Sequence, residues 1–185
     1  MGIAGLGGLG SNVAIALVRS GVGKLIIADF DNIEQSNLNR QQFFVDQVGK
    51  SKVDCAIENL KRINPQVKVE GHKVILNADN IPRIFAGADC IAECFDSAIA
   101  KQMIVETALV KMNSVKIVSV SGIAGYGKSN EIQTRRVTPR LILVGDGQRS
   151  TDTCKTLTAA RVGIAAMHQA NAIIELLIDE IKSKP

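Results

Sequence analysis

The run Gly5-Leu6-Gly7-Gly8-Leu9-Gly10 constrains this chain more than any other feature. It follows the apolar Gly2-Ile3-Ala4 and precedes a stretch, to Ser20, whose apolar residues recur at helical spacing. A strand, a glycine turn and a helix in that order let the backbone reverse tightly, approach an anion closely and aim the first helical amides at it. The next apolar run, KLIIAD at 24–29, is continuous, as in strands buried on both faces of a parallel sheet. Asp29 ends that run roughly 20 residues after the last glycine, where a carboxylate can accept hydrogen bonds from ribose hydroxyls. Glycine loop and acid together point to adenosine. The plain alternative is a strand end in water.

The rest of the chain alternates in the same way. Residues 31–49 are polar and irregular. From Ser51 the residues Val53, Ala56, Ile57, Leu60 and Ile63 mark an amphipathic helix that Asn64-Pro65 ends. Residues 67–74 read as a strand, 77–86 as a short helix, 89–95 as a strand, 97–112 as a helix and 115–121 as a strand. This pattern predicts an α/β, Rossmann-like, doubly wound and mainly parallel sheet. Residues 131–144 alternate around Pro139 and predict an antiparallel pair extending the sheet edge. The polar stretch 145–158 reads as a crossing loop, and 159–181 as a long C-terminal helix.

A chain of 185 residues is sized for one domain over 1–185, and 46% hydrophobic residues fill a core without metal or disulfide staples. The net charge of +4, from 22 dispersed lysines and arginines, suits an anionic ligand but is not a nucleic-acid footprint. Aromatic content of 3% argues against platforms that stack bases. The four cysteines form no CxxC pair and follow no signal peptide, so a reducing cytoplasm is expected, and no apolar run reaches the roughly 20 residues that span a bilayer.

Charge separates a dinucleotide from a triphosphate. Helix amides alone can hold a pyrophosphate bridge, whereas a triphosphate attacked at its α-phosphorus needs cations for the departing groups and usually Mg²⁺. Ser36-Asn37-Leu38-Asn39-Arg40-Gln41 puts amides and a guanidinium beside the same strand end. Lys52 stands in the first turn of its helix, where a cation opposes the helix dipole unless it faces an anion; a solvated lysine is the other reading. Asp96 closes its strand at the same sheet edge and could hold Mg²⁺ or cap the helix that follows.

The segments GLGGLGSN, ADFDNIEQSNLNRQQ, VGKSKV and ECFDS together resemble the adenylating domain shared by ThiF, MoeB, HesA and the ubiquitin-activating enzymes. The later SVSGIAGYG, GDG and RVGIAAMHQAN are most similar to the short ThiF-type branch associated with thiamine biosynthesis. The resemblance implies a homodimeric, cytoplasmic nucleotidyltransferase. It would use ATP and Mg²⁺ to adenylate the C-terminal glycine of a ThiS-like, ubiquitin-like sulfur carrier ending in Gly-Gly, and would release pyrophosphate. It implies Gly5, Gly7, Gly8 and Gly10 as the nucleotide loop, Asp29 as the ribose ligand with Asp31 beside it, and Asn37, Arg40, Gln41 and Lys52 as phosphate contacts. Asp96 would be the magnesium ligand. Arg40, Lys52 and Asp96 would carry the chemistry, with Cys154 a candidate for covalent sulfur transfer or a free cysteine with no role.

Two departures from the family qualify these expectations. Longer relatives carry an upstream segment whose arginine reaches the triphosphate of the neighbouring subunit, and here Met1 stands just before the glycine loop; either this branch manages without that arginine or the start is truncated, and the brief first strand favours truncation. Many relatives hold zinc with paired CxxC motifs, and none occurs here, so no zinc is expected. Among the remaining residues, Cys90 and Cys94 read as core packing, Cys55 lies off the apolar face of its helix, and His72 and His168 read as structural or surface residues. Arg135, Arg136 and Arg140 form either a solvated strand face or a basic patch for an acidic carrier. The rival functions are carboxylate activation on a tRNA nucleoside or peptide, a nicotinamide-dependent oxidoreductase and a silent scaffold.

Overall fold

Side chains alternate along a strand, so a sheet covered on both faces must draw two apolar sets from each run. A computed structural model describes residues 1–150, 154 and 156–182. In chain order the elements are β1 (Gly2–Ala4), α1 (Gly8–Arg19), β2 (Lys24–Asp29), α2 (Lys52–Ile63), β3 (Lys68–Lys73), α3 (Ile81–Ile84), β4 (Cys90–Glu93) and α4 (Ala98–Lys111). They continue through β5 (Lys116–Val120), β6 (Gln133–Thr138), β7 (Leu141–Gly145) and α5 (Ala159–Lys182), with short 3₁₀ turns at Gln35–Asn37, Val45–Gln47 and Ser129–Glu131.

The strands form one sheet of 7 in the order β3-β2-β1-β4-β5-β7-β6. The odd residues Ile3, Leu25 and Ile27 join a core under α1, α2 and α5, whereas Ala4, Ile26, Ala28, Ile91 and Ile117 join a second core under α3 and α4. The expected doubly wound architecture is thus present. The edge pair differs in detail: β7 pairs parallel with β5, and only β6 runs antiparallel, on β7. The hairpin reverses the chain once, so its second strand regains the direction of the sheet.

The order of strands reverses between β1 and β4. In open α/β sheets ligands bind at the carboxyl ends of the strands on either side of such a reversal. The loops after β1, β2 and β4 all meet there. Among the described residues no helix is long and apolar enough to cross a membrane.

The reading of Cys55 as off the apolar face is corrected: its exposure is 2%. Helix α2 buries a second flank, Lys52, Cys55 and Asn59, because the loop ahead of it folds back. Gln47 Nε2 donates to Asn59 Oδ1 at 2.9 Å and Asn59 Nδ2 to the Gln42 carbonyl at 3.3 Å, which shuts that flank off from water. Cys90 and Cys94 pack in the core under α5 as expected.

Candidate nucleotide-binding site

The glycine loop leaves no space for side chains. A Cβ on Gly10 would lie 1.8 Å from the Gly5 carbonyl oxygen, and one on Gly5, whose φ is +92°, would lie 3.0 Å from the Cys94 carbonyl oxygen. The loop therefore presses directly on the end of β4. Gly7 caps α1 with no side-chain hydrogen bond and no acidic residue occupies the first turn, so the positive end of the helix is uncompensated.

Asp29 is buried rather than standing in water. Its Oδ2 accepts from Leu6 N at 2.6 Å and its Oδ1 from Asp31 N at 2.8 Å. The carboxylate thus ties the glycine loop to β2 while each oxygen retains a lone pair for a hydroxyl donor.

The segment after β2 is stitched across α1. Ser11 Oγ donates to the Gly7 carbonyl and accepts from Gln42 N, while Asn12 Nδ2 donates to the Gly8 and Arg40 carbonyls. These bonds hold Arg40 over the loop, its Cγ 3.4 Å from where a Gly8 Cβ would stand. Arg40 Nη1 donates to Asn39 Oδ1 and the Ser36 carbonyl. Gln41 is buried with its Oε1 unpartnered, and its Nε2 would be 3.9 Å from a Gly7 Cβ. A buried amide oxygen left without a donor, beside an uncapped helix start, fits a polar ligand there. Asn37 is buried and serves the turn itself: its Oδ1 accepts from Glu34 N and its Nδ2 donates to Ser36 Oγ.

Lys52 does face an anion, and that anion is Asp31. Ser51 caps α2 by accepting from Asp54 N, which leaves Lys52 first in the helix. Its Nζ lies 2.6 Å from Asp31 Oδ2 and its backbone N donates to the Asp31 carbonyl.

Ser97 caps α4, so Asp96 is not the cap; it is exposed and makes no hydrogen bond or ion pair among the described residues. No group of three or more His, Cys, Asp or Glu side chains among the described residues is disposed to hold a metal ion. Mg²⁺ in nucleotide sites needs only one or two carboxylates beside the substrate phosphates, and the unpaired Asp96 next to the glycine loop fits that requirement.

Three buried polar residues near the site had no role in the sequence reading. Glu93, fully buried at the end of β4, accepts from Lys101, Ser119 and Phe95. Gln169 of α5 donates to the Glu93 and Val118 carbonyls. Arg161, at the start of α5, lies 2.5 Å from Asp146 Oδ2 and donates to the Gly127 and Lys128 carbonyls, which binds the GYG and GDG segments to α5. Burial alone would raise the Asp146 carboxyl, but the Arg149 and Gln148 amides and the guanidiniums of Arg161 and Arg149 outweigh it and hold it below the ordinary range. A glutamate or arginine inside an otherwise apolar run was the available signal.

Cys154 is half-buried, its Sγ 3.6 Å from where a Gly125 Cβ would be. The three arginines do not form one patch. Arg140 donates to the Leu109 and Met112 carbonyls that end α4, Arg136 stands 3.9 Å from Glu175, and Arg135 points toward Gly147. His72 meets Glu70 and His168 meets Thr134, each at 3.0 Å.

The ThiF family model matches residues 1–185. The adenylyltransferase and sulfurtransferase uba4 of Aspergillus niger is 41% identical over 109 residues, 58% of this chain and 23% of that protein. The ubiquitin-like modifier-activating enzyme 5 of Drosophila ananassae is 39% identical over 114 residues, 55% of this chain and 29% of that protein. The chain therefore spans roughly a quarter of the length of these relatives. Among solved structures, the E. coli tRNA N6-threonylcarbamoyladenosine dehydratase TcdA in complex with AMP superposes with a TM-score of 0.82 at 19% identity, over 98% of this chain and 87% of that one. E. coli MccB with ATP gives 0.74 at 22% identity, over 95% and 54%. These likenesses concern the fold.

Proposed function

This chain belongs to the ThiF family, and on that premise we propose that residues 1–185 form one adenylating unit that transfers AMP from ATP to a carboxylate. The observation that carries the reading is the uncapped start of α1, with Arg40 held over its glycine loop and Asp29 fixed one strand away; Lys52 and Asp96 are assigned to the same site. A nicotinamide site has no use for two cations and a free carboxylate beyond the glycine loop.

The steps follow from these residues. Asp29 takes the ribose hydroxyls, and the α1 amides with the Gln41 Nε2 donor hold phosphate oxygens. The attacking carboxylate oxygen forms a bond to the α-phosphorus while the bond from that phosphorus to the bridging oxygen breaks, and pyrophosphate leaves with both electrons. The nucleophile is already an anion, so no general base is needed. Arg40 and Lys52 neutralise charge that grows on the leaving group, and positioning supplies the rest. Asp96 would hold Mg²⁺, which when bound offsets the phosphate charge.

The acceptor is a ThiS-like sulfur carrier ending in Gly-Gly, serving thiamine biosynthesis, and the enzyme is a cytoplasmic homodimer. The names of the uba4 and modifier-activating relatives support a carrier protein of the ubiquitin-like kind. In the sulfur-transfer step the Cys154 thiolate bonds to the acyl carbon of the adenylate as the bond from that carbon to the AMP oxygen breaks and AMP leaves; a hydrosulfide donor then displaces the cysteine and releases the thiocarboxylate. A second reading, activation on a tRNA nucleoside, takes its acceptor from the name of the TcdA structure whose fold this chain shares.

ATP–pyrophosphate exchange by the purified chain with Mg²⁺ tests these readings. Exchange that needs the Gly-Gly carrier supports the first; exchange that needs tRNA replaces it with the second; absence of both refutes adenylation. The Cys154→Ser variant should exchange normally yet form no thiocarboxylate, and unimpaired thiocarboxylate would remove Cys154 from the scheme.

A further inference from the structure

Glu93 is fully buried, and a carboxylate in that position needs a reason. An apolar residue of similar volume is often as stabilising as a buried ion pair, so the charge is better explained by the geometry it imposes than by stability. Its partners come from three elements. Oε1 accepts from Phe95 N at 2.7 Å and from Lys101 Nζ, on the second turn of α4, at 3.0 Å. Oε2 accepts from Ser119 Oγ on β5 at 2.6 Å, from Lys101 Nζ at 3.1 Å and from Val120 N at 3.4 Å. The Glu93 carbonyl is held in turn by Gln169 Nε2 of α5 at 2.9 Å.

Each bond bears on the turn that follows β4. Phe95 N is the backbone donor immediately before Asp96, and the Phe95 ring stands 3.4 Å from where a Gly5 Cβ would be. Lys101 joins the same carboxylate to the helix that Ser97 starts. Asp96 itself has no partner among the described residues, so its placement depends wholly on the backbone around it. Glu93 holds the chain on both sides of Asp96, by the Phe95 backbone N–H before it and by the Lys101 side chain after it.

We propose that the Glu93–Lys101 pair is a positioning device: it sets the turn so that the Asp96 carboxylate meets the metal-bound phosphates of the nucleotide. The proposal rests on the adenylating reading above and deepens it. Neither residue touches the nucleotide. Loss of the pair lets Asp96 wander while the glycine loop, Asp29, Arg40 and Lys52 keep their own supports. The defect should therefore lie in how Mg²⁺ strengthens nucleotide binding, and not in metal-free binding.

Isothermal titration calorimetry of the purified chain with ATP, in EDTA and across a Mg²⁺ series, makes the distinction. In Glu93→Gln, metal-free ATP affinity should stay within about twofold, while the Mg²⁺ concentration giving half of the tightening should rise about tenfold, as for loss of an outer partner of a metal ligand. Lys101→Met should behave alike, and Lys101→Arg, which keeps charge and donors, should restore the wild-type Mg²⁺ response. Lys101 is 23% exposed, so its variants serve if the Glu93 change prevents folding. A folded variant with an unchanged Mg²⁺ response overturns the proposal, and so does equal loss of affinity with and without Mg²⁺. A wild-type chain that binds no ATP under either condition overturns the adenylating reading and this one together.

Discussion

Lys52 Nζ lies 2.6 Å from Asp31 Oδ2, and the lysine is 5% exposed, although it begins a helix whose dipole disfavours it. The half-exposed Asp31 holds the cation in place. Removing the lysine leaves Asp31 able to reach water, so the fold tolerates the change. Lys52→Ala should lower ATP–pyrophosphate exchange by about 10²–10³-fold while circular dichroism stays native. Normal exchange would remove Lys52 from the chemistry.

Replacement of Gly10 by alanine tests the loop. In an ordinary helix interior this change stabilises by about 1 kcal/mol. Here the new Cβ would meet the Gly5 carbonyl oxygen at 1.8 Å, a backbone atom with no rotamer to yield. Gly10→Ala should instead cost about 2–3 kcal/mol in urea unfolding. Gly23→Ala, with nothing within 4 Å, is the control that should change little.

Asp96 separates function from stability. Because it is exposed and unpaired, Asp96→Asn should keep stability within about 0.5 kcal/mol. Exchange in the same variant should fall by roughly two orders of magnitude. A stability loss that matches the activity loss would make Asp96 a structural residue.

The Asp146–Arg161 pair predicts a pH dependence. Asp146 has its folded pKa below the ordinary 3.8, so its contribution is present above that value and disappears as pH falls through the lower folded one. At neutral pH, Asp146→Asn should cost about 3–5 kcal/mol, because the guanidinium, 1% exposed, loses its counter-charge. The gap in urea midpoint between wild type and variant should narrow once the pH falls below 3.8. A gap that is constant or widens in acid would contradict the pairing.

Much of this was legible in advance, for identifiable reasons. The run at 24–29 became β2 residue for residue because an unbroken apolar stretch ending in Asp has few other uses in a twisted parallel sheet. The glycine spacing declared the loop, since it reflects backbone contact and not side-chain chemistry. What escaped notice depends on partners distant in sequence. Cys55 is buried because residues 42–47 fold over its flank, Arg140 caps α4 from the far end of a hairpin, and β7 runs parallel because β6 has already reversed the chain. Glu93 fell between the two cases: a carboxylate in CIAEC was visible, but only Lys101 and Ser119 explain it. Lys52 was expected to face an anion, and the one it meets lies in the chain itself.

The cysteines give the molecule a built-in clock. Burial pushes the Cys90 thiol up to about 12 and raises Cys55 and Cys94 as well, and all three lie in the layer beneath α1, α2 and α5. A thiol reacts as its thiolate and only where reagent can reach it. Cys154 should therefore be alkylated first, and the others no faster than that helical layer parts from the sheet. Mass spectrometry of a timed iodoacetamide pulse would read those openings cysteine by cysteine, with no probe site engineered into the chain.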